Sequence, residues 1–534
     1  MEDKARAFID QHVQQIRPLE KEARLAYWRA AVSGKAELYR KAAELELQIR
    51  TVYSDARDFK KVAGFKEHGH FHDALIARQI DLLYNDFLAN QIRPDLLKRI
   101  VELSTRIEEK FSTFRPTLEG KKVTDNEIHR LLKSEGNTET RKAAWLAGHQ
   151  VGEEVAGELI KLIKWRNQAA RHLGFENYHT FSLYTAEQQV DQIDRLFSEL
   201  EERTREPFRQ VKLEIDTLLA RGYGITTQEL QPWHYHDPFF QETPQVYEIN
   251  LDRYYEQSDV LEIGRAFYRS IGLAVDDILA RSDLYEKPGK NPHAFCEAID
   301  RQGDVRILCN LKNDENWMET LLHELGHAVY ETYQDGHKPY LLREPAHIFT
   351  TEAVAMFFGR LSRNPAWMRD MLDLSAAELH RIRPVAQKYA RLKQLIFIRW
   401  ALVMYYFEKA LYADPDQDLN HLWWKLKEKF QLLHPVKGRN KADWAVKIHF
   451  AIAPCYYHNY VLGELLASQI RHVLTKRYYP AGKEGDISFT GLKALGTYFK
   501  DHIFKPGRSL PWNEMIQSAT GQPLSAEYFI ESFI

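Results

Sequence analysis

His323 and His327 stand four residues apart in the segment NDENWMETLLHELGHAVYETY, with Glu324 directly after the first of them. Residues four apart share one face of a helix, so both imidazoles can reach a single divalent cation at about 2.0–2.1 Å. Glu324 then flanks the cation without ligating it. A carboxylate held there can take a proton from water whose pKa the cation brings down toward about 7. The chemistry these residues point to is zinc-assisted hydrolysis, with one Zn²⁺ ion. Such a site needs a third protein ligand and one open position. Glu352, in the apolar segment FTTEAVAMFFGRL, is the candidate, because Ala353 to Phe358 leave it no solvated helix face. His337, His347, Glu331 and Glu344 compete for the same position, the two histidines from within the connection GHKPYLLREPAH.

These residues need particular elements to hold them. Asn313 and Asp314 are capping residues, and the pattern after them is helical to about Tyr333. Leu321, Leu322, Leu325 and Val329 make the helix apolar, so it is expected to be buried, where two histidines and a glutamate without partners would be costly. Gly326 costs a helix interior about 0.5–1 kcal/mol relative to alanine, which suggests close approach of another backbone. Apolar residues at spacings of three and four recur through most of the chain, over residues 1–50 and again over roughly 95–215, predicting a mainly α fold. The stretch Pro292–Leu311 differs: HAFCEAID and DVRILCNL flank Arg301, Gln302 and Gly303 like two short strands of a hairpin beside the motif helix.

Bulk properties narrow the partners. With 73 Lys and Arg against 75 Asp and Glu in 534 residues, and a formal net charge of -2, no global field favours nucleic acid or a membrane. Cys296, Cys309 and Cys455 lie far apart, which argues against a disulfide framework and against a cysteine-ligated metal. The charged N-terminal segment lacks the apolar run of a secretory signal, and a cytoplasmic, soluble protein is expected. The most apolar stretch, Leu395–Phe407, contains Arg399 and is too short for the roughly 20 residues of a membrane span, so it is read as a buried helix. No stretch looks like an interdomain linker. Residues 1–534 are therefore expected to form one catalytic domain, and nothing in them assigns an oligomeric state.

Taken in order, HELGH with its following Glu, PHAFCEAIDRQGDVRILCN, LWWKLKEKF, VKIHF, YYHNYVLGEL and LPWNEMIQSATGQPLSAEYF resemble the angiotensin-converting enzyme (peptidyl-dipeptidase A) family of gluzincin metallopeptidases, bacterial type. The thimet oligopeptidase and oligopeptidase F group is more distantly similar. The resemblance implies a large helical two-lobed ellipsoid with a deep central groove, peptide substrates, and removal of C-terminal dipeptides. It places His293 and Ala294 against the peptide backbone, His449 on the substrate carbonyl, and Tyr460 at the oxyanion of the tetrahedral intermediate. Without it, Tyr456, Tyr457 and Tyr460 read as an aromatic helix face packed in a core. It also implies that Asp304–Leu311 is an edge strand to which an extended peptide adds.

Some positions depart from the family pattern. Lys447 and Tyr457 match two residues of a carboxylate clamp, but the third, a Gln near a Trp, appears replaced by Tyr235 or His236 beside Trp233. A one-residue insertion follows His449. Asn459 stands where the animal enzymes have a chloride-binding Arg, so activity is expected to be independent of chloride. Met356 stands where an Asp orients a zinc histidine, so another acceptor must hold that ring. Two other functions are kept open: an oligoendopeptidase with the same zinc chemistry and no anchored terminus, and a zinc-stabilised peptide-binding protein without turnover. Glu324 and Tyr460 speak against the last.

Overall fold

A computed structural model describes residues 1–246, 250–482 and 487–533. Helices dominate, as the periodicity predicts, and only two small antiparallel strand pairs occur among the described residues. No helix there is long and apolar enough to cross a membrane. Contacts divide the chain into two compact units, each assembled from separate stretches. The first comprises Met1–Gln91, Ile249–Gln387 and Leu462–Ser532; the second comprises Ile92–Glu248 and Lys388–Val461 with the last residues.

In the first unit the helix Glu2–Ser33 buries Ala5, Ile9 and Ile16 on one stripe, against Tyr53, Val62, Ile80 and Phe87 from the helices that follow. Gly34 ends it in the left-handed conformation at φ 70°, which a side chain would resist. In the second unit Phe208, Val211, Ile215 and Leu219 of the helix Val190–Tyr223 pack on Leu392, Leu395 and Ile396. The apolar stretch around Arg399 is a buried helix segment, as expected. The Arg399 guanidinium is satisfied by donating to the carbonyls of Phe430 at 2.7 Å and Glu201 at 3.0 Å.

One strand pair was not anticipated within the helical reading of residues 95–215: β1, Thr117–Leu118, and β2, Lys121–Lys122. Its two-residue connection has Glu119 at φ 49° and Gly120 at φ 80°, the turn geometry that matches strand twist. The hairpin predicted at Pro292–Leu311 is present as β3, Phe295–Ala298, paired with β4, Val305–Leu308, in the register Phe295↔Leu308 and Ala298↔Val305. The assignment of the edge is corrected, however. The outer side of β4 is occupied, since Asp283 N–H donates to the Ile307 carbonyl at 3.1 Å and Cys309 N–H donates to the Asp283 carbonyl at 2.9 Å. Among the described residues it is β3, not Asp304–Leu311, that has an open ladder edge.

The motif helix runs Glu315–Thr332 and starts at Asp314, whose carboxylate accepts from Trp317 N–H at 2.8 Å. A second helix, Ile348–Gly359, packs along it. Gly326 sits at the closest point: a Cβ there would lie 2.7 Å from Ala355 Cα and 3.1 Å from its nitrogen. The expected close approach is therefore present, and it is backbone against backbone. Replacing Gly326 by Ala is expected to destabilise the fold by about 1–3 kcal/mol through overpacking. Gly64→Ala, in a helix with no heavy atom within 4 Å of the new methyl, should instead stabilise by about 0.5–1 kcal/mol. Denaturant midpoints of the two variants check this; equal shifts would contradict the close-approach role.

Candidate metal centre

The packing of those two helices brings three ligand types together. His323 Nε2 and His327 Nε2 are 3.2 Å apart, and Glu352 Oε2 lies 3.7 Å from the first and 3.9 Å from the second. The three candidate atoms lie within 4.8 Å of one another, the sole such group of three among the described residues. A tetrahedral cation with bonds of about 2.0–2.1 Å would separate its ligands by roughly 3.3 Å. Two imidazole nitrogens and one carboxylate oxygen at these spacings fit a divalent cation of borderline character, zinc being the ordinary occupant of such a donor set.

The orientation of His327 has a cause. Its Nδ1 lies 2.7 Å from Thr351 Oγ1. With the Nδ1 proton donated to that hydroxyl, Nε2 keeps its lone pair for a metal. Burial, then the neighbouring His323, push the His327 pKa well below the usual imidazole range, so the ring is neutral and ready to ligate. Thr351 is the acceptor the sequence did not identify. Its place directly before Glu352 on a buried helix is the signal that was there to be used.

Glu324 is buried, 7% exposed, and no hydrogen bond reaches its carboxylate among the described residues. Burial first, and the Glu352 charge second, raise its pKa to about 8. A divalent cation at the three ligands reverses the second influence, because it becomes the largest local charge. The other candidates for the third ligand are employed elsewhere. His347 caps the second helix, accepting from Phe349 N–H at 3.2 Å; His337 is exposed; Glu344 pairs with Arg24 at 3.1 Å and with Arg301 at 2.7 Å; and Gln334 donates to Glu331 at 3.1 Å. His293 and Ala294 directly precede β3, the strand with the open edge, and β3 itself packs on the motif helix.

Lys447, His449, Tyr457 and Tyr460 all belong to the second unit and cluster there. The Tyr457 ring lies 5.3 Å from that of His449 and 5.5 Å from that of Tyr460, and its hydroxyl accepts from Trp400 Nε1 at 2.7 Å. His449 Nδ1 is buried without a hydrogen-bond partner, and burial, then the nearby Lys447, lower its pKa to about 4. Lys447 lies over the Phe239 and Trp400 rings at 4.7 and 5.1 Å, and burial lowers its pKa to about 8 against the attraction of Asp237 and Glu242.

The expected neighbour of Lys447 is also corrected. Lys447 Nζ donates to Gln241 Oε1 at 2.9 Å, so a glutamine does stand beside the lysine. The positions proposed in its stead are engaged away from it: Tyr235 donates to Asp216 at 2.8 Å, and the His236 ring lies 3.0 Å from the Tyr223 hydroxyl. His236 and Phe240 both take positive φ, at 70° and 55°, and these reversals determine which side chain of QPWHYHDPFFQ reaches Lys447.

Comparison with known proteins places the chain among metallopeptidase families. The model of peptidase family M3 matches residues 131–534, and that of angiotensin-converting enzyme matches residues 1–207. Angiotensin-converting enzyme of Rattus norvegicus is 24% identical over 96% of this chain and 40% of its own length. The enzyme of Mus musculus is 23% identical over 92% of the chain and 38% of its own length. Thermostable carboxypeptidase 1 of Pyrococcus furiosus is 21% identical over 70% of the chain and 72% of its own length. The chain thus spans 40% or less of the first two relatives.

Substituting Thr351 by Val, which keeps the shape and removes the hydroxyl, is expected to weaken metal binding about 10–100-fold. Competition with a chelator at fixed pH measures it, and an unchanged affinity would show that Thr351 does not orient His327.

Proposed function

The chain belongs to peptidase family M3, and from that membership we propose that it hydrolyses peptide bonds in short peptides, using one zinc ion held by His323, His327 and Glu352. The observation that carries this reading is the convergence of those three side chains beside a buried, unpaired Glu324. Bound there, zinc supplies Lewis acidity, acidifying water and polarising the scissile carbonyl. Glu324 accepts the proton of the attacking water and passes it to the leaving amine. An extended peptide adds to the open edge of β3, with main-chain hydrogen bonds near His293 and Ala294, which gives affinity with little demand on side chains. Tyr460 and His449 serve the carbonyl oxygen as charge develops on it. A donor placed there is worth about 2.7–4 kcal/mol. The buried Nδ1 of half-buried His449, without a partner among the described residues, supports a role that a substrate completes.

We favour release of C-terminal dipeptides, with Lys447, Gln241 and Tyr457 receiving the terminal carboxylate. Lys447 with its amide neighbour, in an aromatic setting, has the charge and the low local dielectric such a clamp uses. The second reading, an oligoendopeptidase without an anchored terminus, is favoured by the long match to family M3. Both units are then parts of one catalytic domain. A cytoplasmic setting accords with three free cysteines, all with thiol pKa values raised by burial.

Glu324→Gln should lower kcat by at least about 100-fold while leaving bound zinc unchanged. Equal residual rates in both proteins would favour a binding protein without turnover. Comparing a peptide with its C-terminally amidated form by mass spectrometry separates the two peptidase readings, since equal cleavage rates would sink the dipeptide-releasing one. Chloride should leave the rate unchanged, because Asn459 Oδ1 accepts from Gln188 Nε2 at 2.9 Å and the pair is neutral. A steep chloride activation curve would contradict that assignment.

A further inference from the structure

A polar cavity lies within the first unit, lined by none of the three candidate metal ligands. It has a volume of about 230 Å³ and opens among the helices Glu2–Ser33, Ala36–Tyr53 and Ala74–Ala89, with the β3–β4 turn and Arg508 completing its wall. Its charged lining is mixed: Arg50, Arg301 and Arg508 against Glu20 and Asp86. We propose that this cavity binds a small zwitterion, a free α-amino acid or a small dipeptide, with its ammonium on Asp86 and its carboxylate on the arginine side.

Volume sets the scale. A cavity of about 150 Å³ holds benzene, and drug-sized sites begin near 300 Å³, so this one suits a ligand on the order of ten non-hydrogen atoms. The charges set the chemistry. Arg301 already pairs with Glu20 at 2.9 Å, and Arg508 pairs with Glu344 at 2.9 Å. Asp86 has no such partner within ion-pair distance: no side-chain donor reaches its carboxylate among the described residues, and burial raises its pKa against the more distant pull of Arg508 and Arg301. A half-buried carboxylate without an ion-pair partner, facing a cavity, offers a counter-charge to a ligand ammonium. Arg50, by contrast, is exposed and lines the same space, so a guanidinium stands at the mouth with its charge free for an anion. A simple cation would meet three guanidiniums and a simple anion would meet Asp86. A molecule carrying both charges meets neither conflict.

The site has a structural link to β3. Arg301 belongs to the turn between β3 and β4, at φ 53°, and shares Glu344 with Arg24, whose guanidinium donates to the Ala298 carbonyl at the end of β3 at 2.6 Å. An occupant therefore also steadies residues 299–304, independently of whether the chain cuts peptides by the route proposed above.

Calorimetric titration of the full zinc-loaded chain with leucine, N-acetyl-leucine, leucinamide and glycylglycine tests this. Free leucine or glycylglycine should bind, and the two capped forms should bind about ten-fold more weakly, the loss expected for one charged hydrogen bond. Whichever free form binds more tightly names the ligand. Asp86→Asn and Arg50→Gln should each reduce affinity by a similar factor, and Asp86→Asn should unfold no earlier than the parent, because the carboxylate it replaces is half-buried and holds no ion-pair partner among the described residues. Hydrogen exchange of residues 299–304 should slow when the ligand is present. Absence of binding, equal binding of the capped forms, or unchanged affinity in both variants would overturn the proposal. Because hydrolysis by the parent is read separately, failure here leaves the peptidase assignment standing, and loss of hydrolysis leaves this site standing.

Discussion

Two helices of the first unit approach each other so closely that one of them tolerates only glycine at the contact, and the metal centre is a consequence of that distance. Gly326 lies between the two histidines, directly before His327, and the backbone at Ala355 occupies the space a side chain would need. With the helices in this contact, Glu352, three residues before Ala355, falls within 3.9 Å of both ring nitrogens. Other small contacts maintain the same arrangement. Gly463 faces Glu352 Cβ and Met356 Sδ, each 3.2 Å from where its own Cβ would be, and Gly359 faces the His323 side chain. Packing of this density transmits any change in volume directly to ligand positions.

The electrostatics of the centre follow from burial in that packing. Neutral imidazoles and an ionised carboxylate are what a cation needs, and burial favours neutrality in His327 while it makes the Glu324 carboxylate a stronger base. At the start of the motif helix, charge is handled the other way, by pairing. Arg363 meets Glu315 and Glu319, each at 2.7 Å, and Ser362 donates to Glu315 at 2.8 Å. That network fastens the end of the helix that carries the histidines, while His327 gives its Nδ1 proton to Thr351 and keeps the Nε2 lone pair for a cation. Stability and reactivity are thus assigned to different turns of one helix.

The second unit uses aromatic surroundings for a similar end. Lys427 lies near the rings of Trp400, Trp423 and Trp424 and donates to the Phe239 carbonyl at 2.9 Å, and burial lowers its pKa to about 7. Lys447 and Gln241 occupy the same aromatic setting. Positions that look like core packing in isolation, such as Tyr457, are at once buried among rings and hydrogen-bonded, which is why composition alone cannot separate their structural role from a chemical one.

Local pattern was enough for the histidine pair, Glu324, the helix cap at Asp314, the mainly helical fold and the β3–β4 hairpin, because each depends on spacings of a few residues that helix and strand geometry impose directly. Glu352 was legible too, since a charged residue inside an uninterrupted apolar helix has few alternatives. Thr351, the open edge at β3 and the pairing of Gln241 with Lys447 were decided by tertiary structure. Each depends on where a distant segment lies: Asp283 covering β4, a reversal at His236 and Phe240, and a helix brought alongside another by a glycine. Such placements arise from long-range packing, and the residues involved carry no periodic mark of it in the chain.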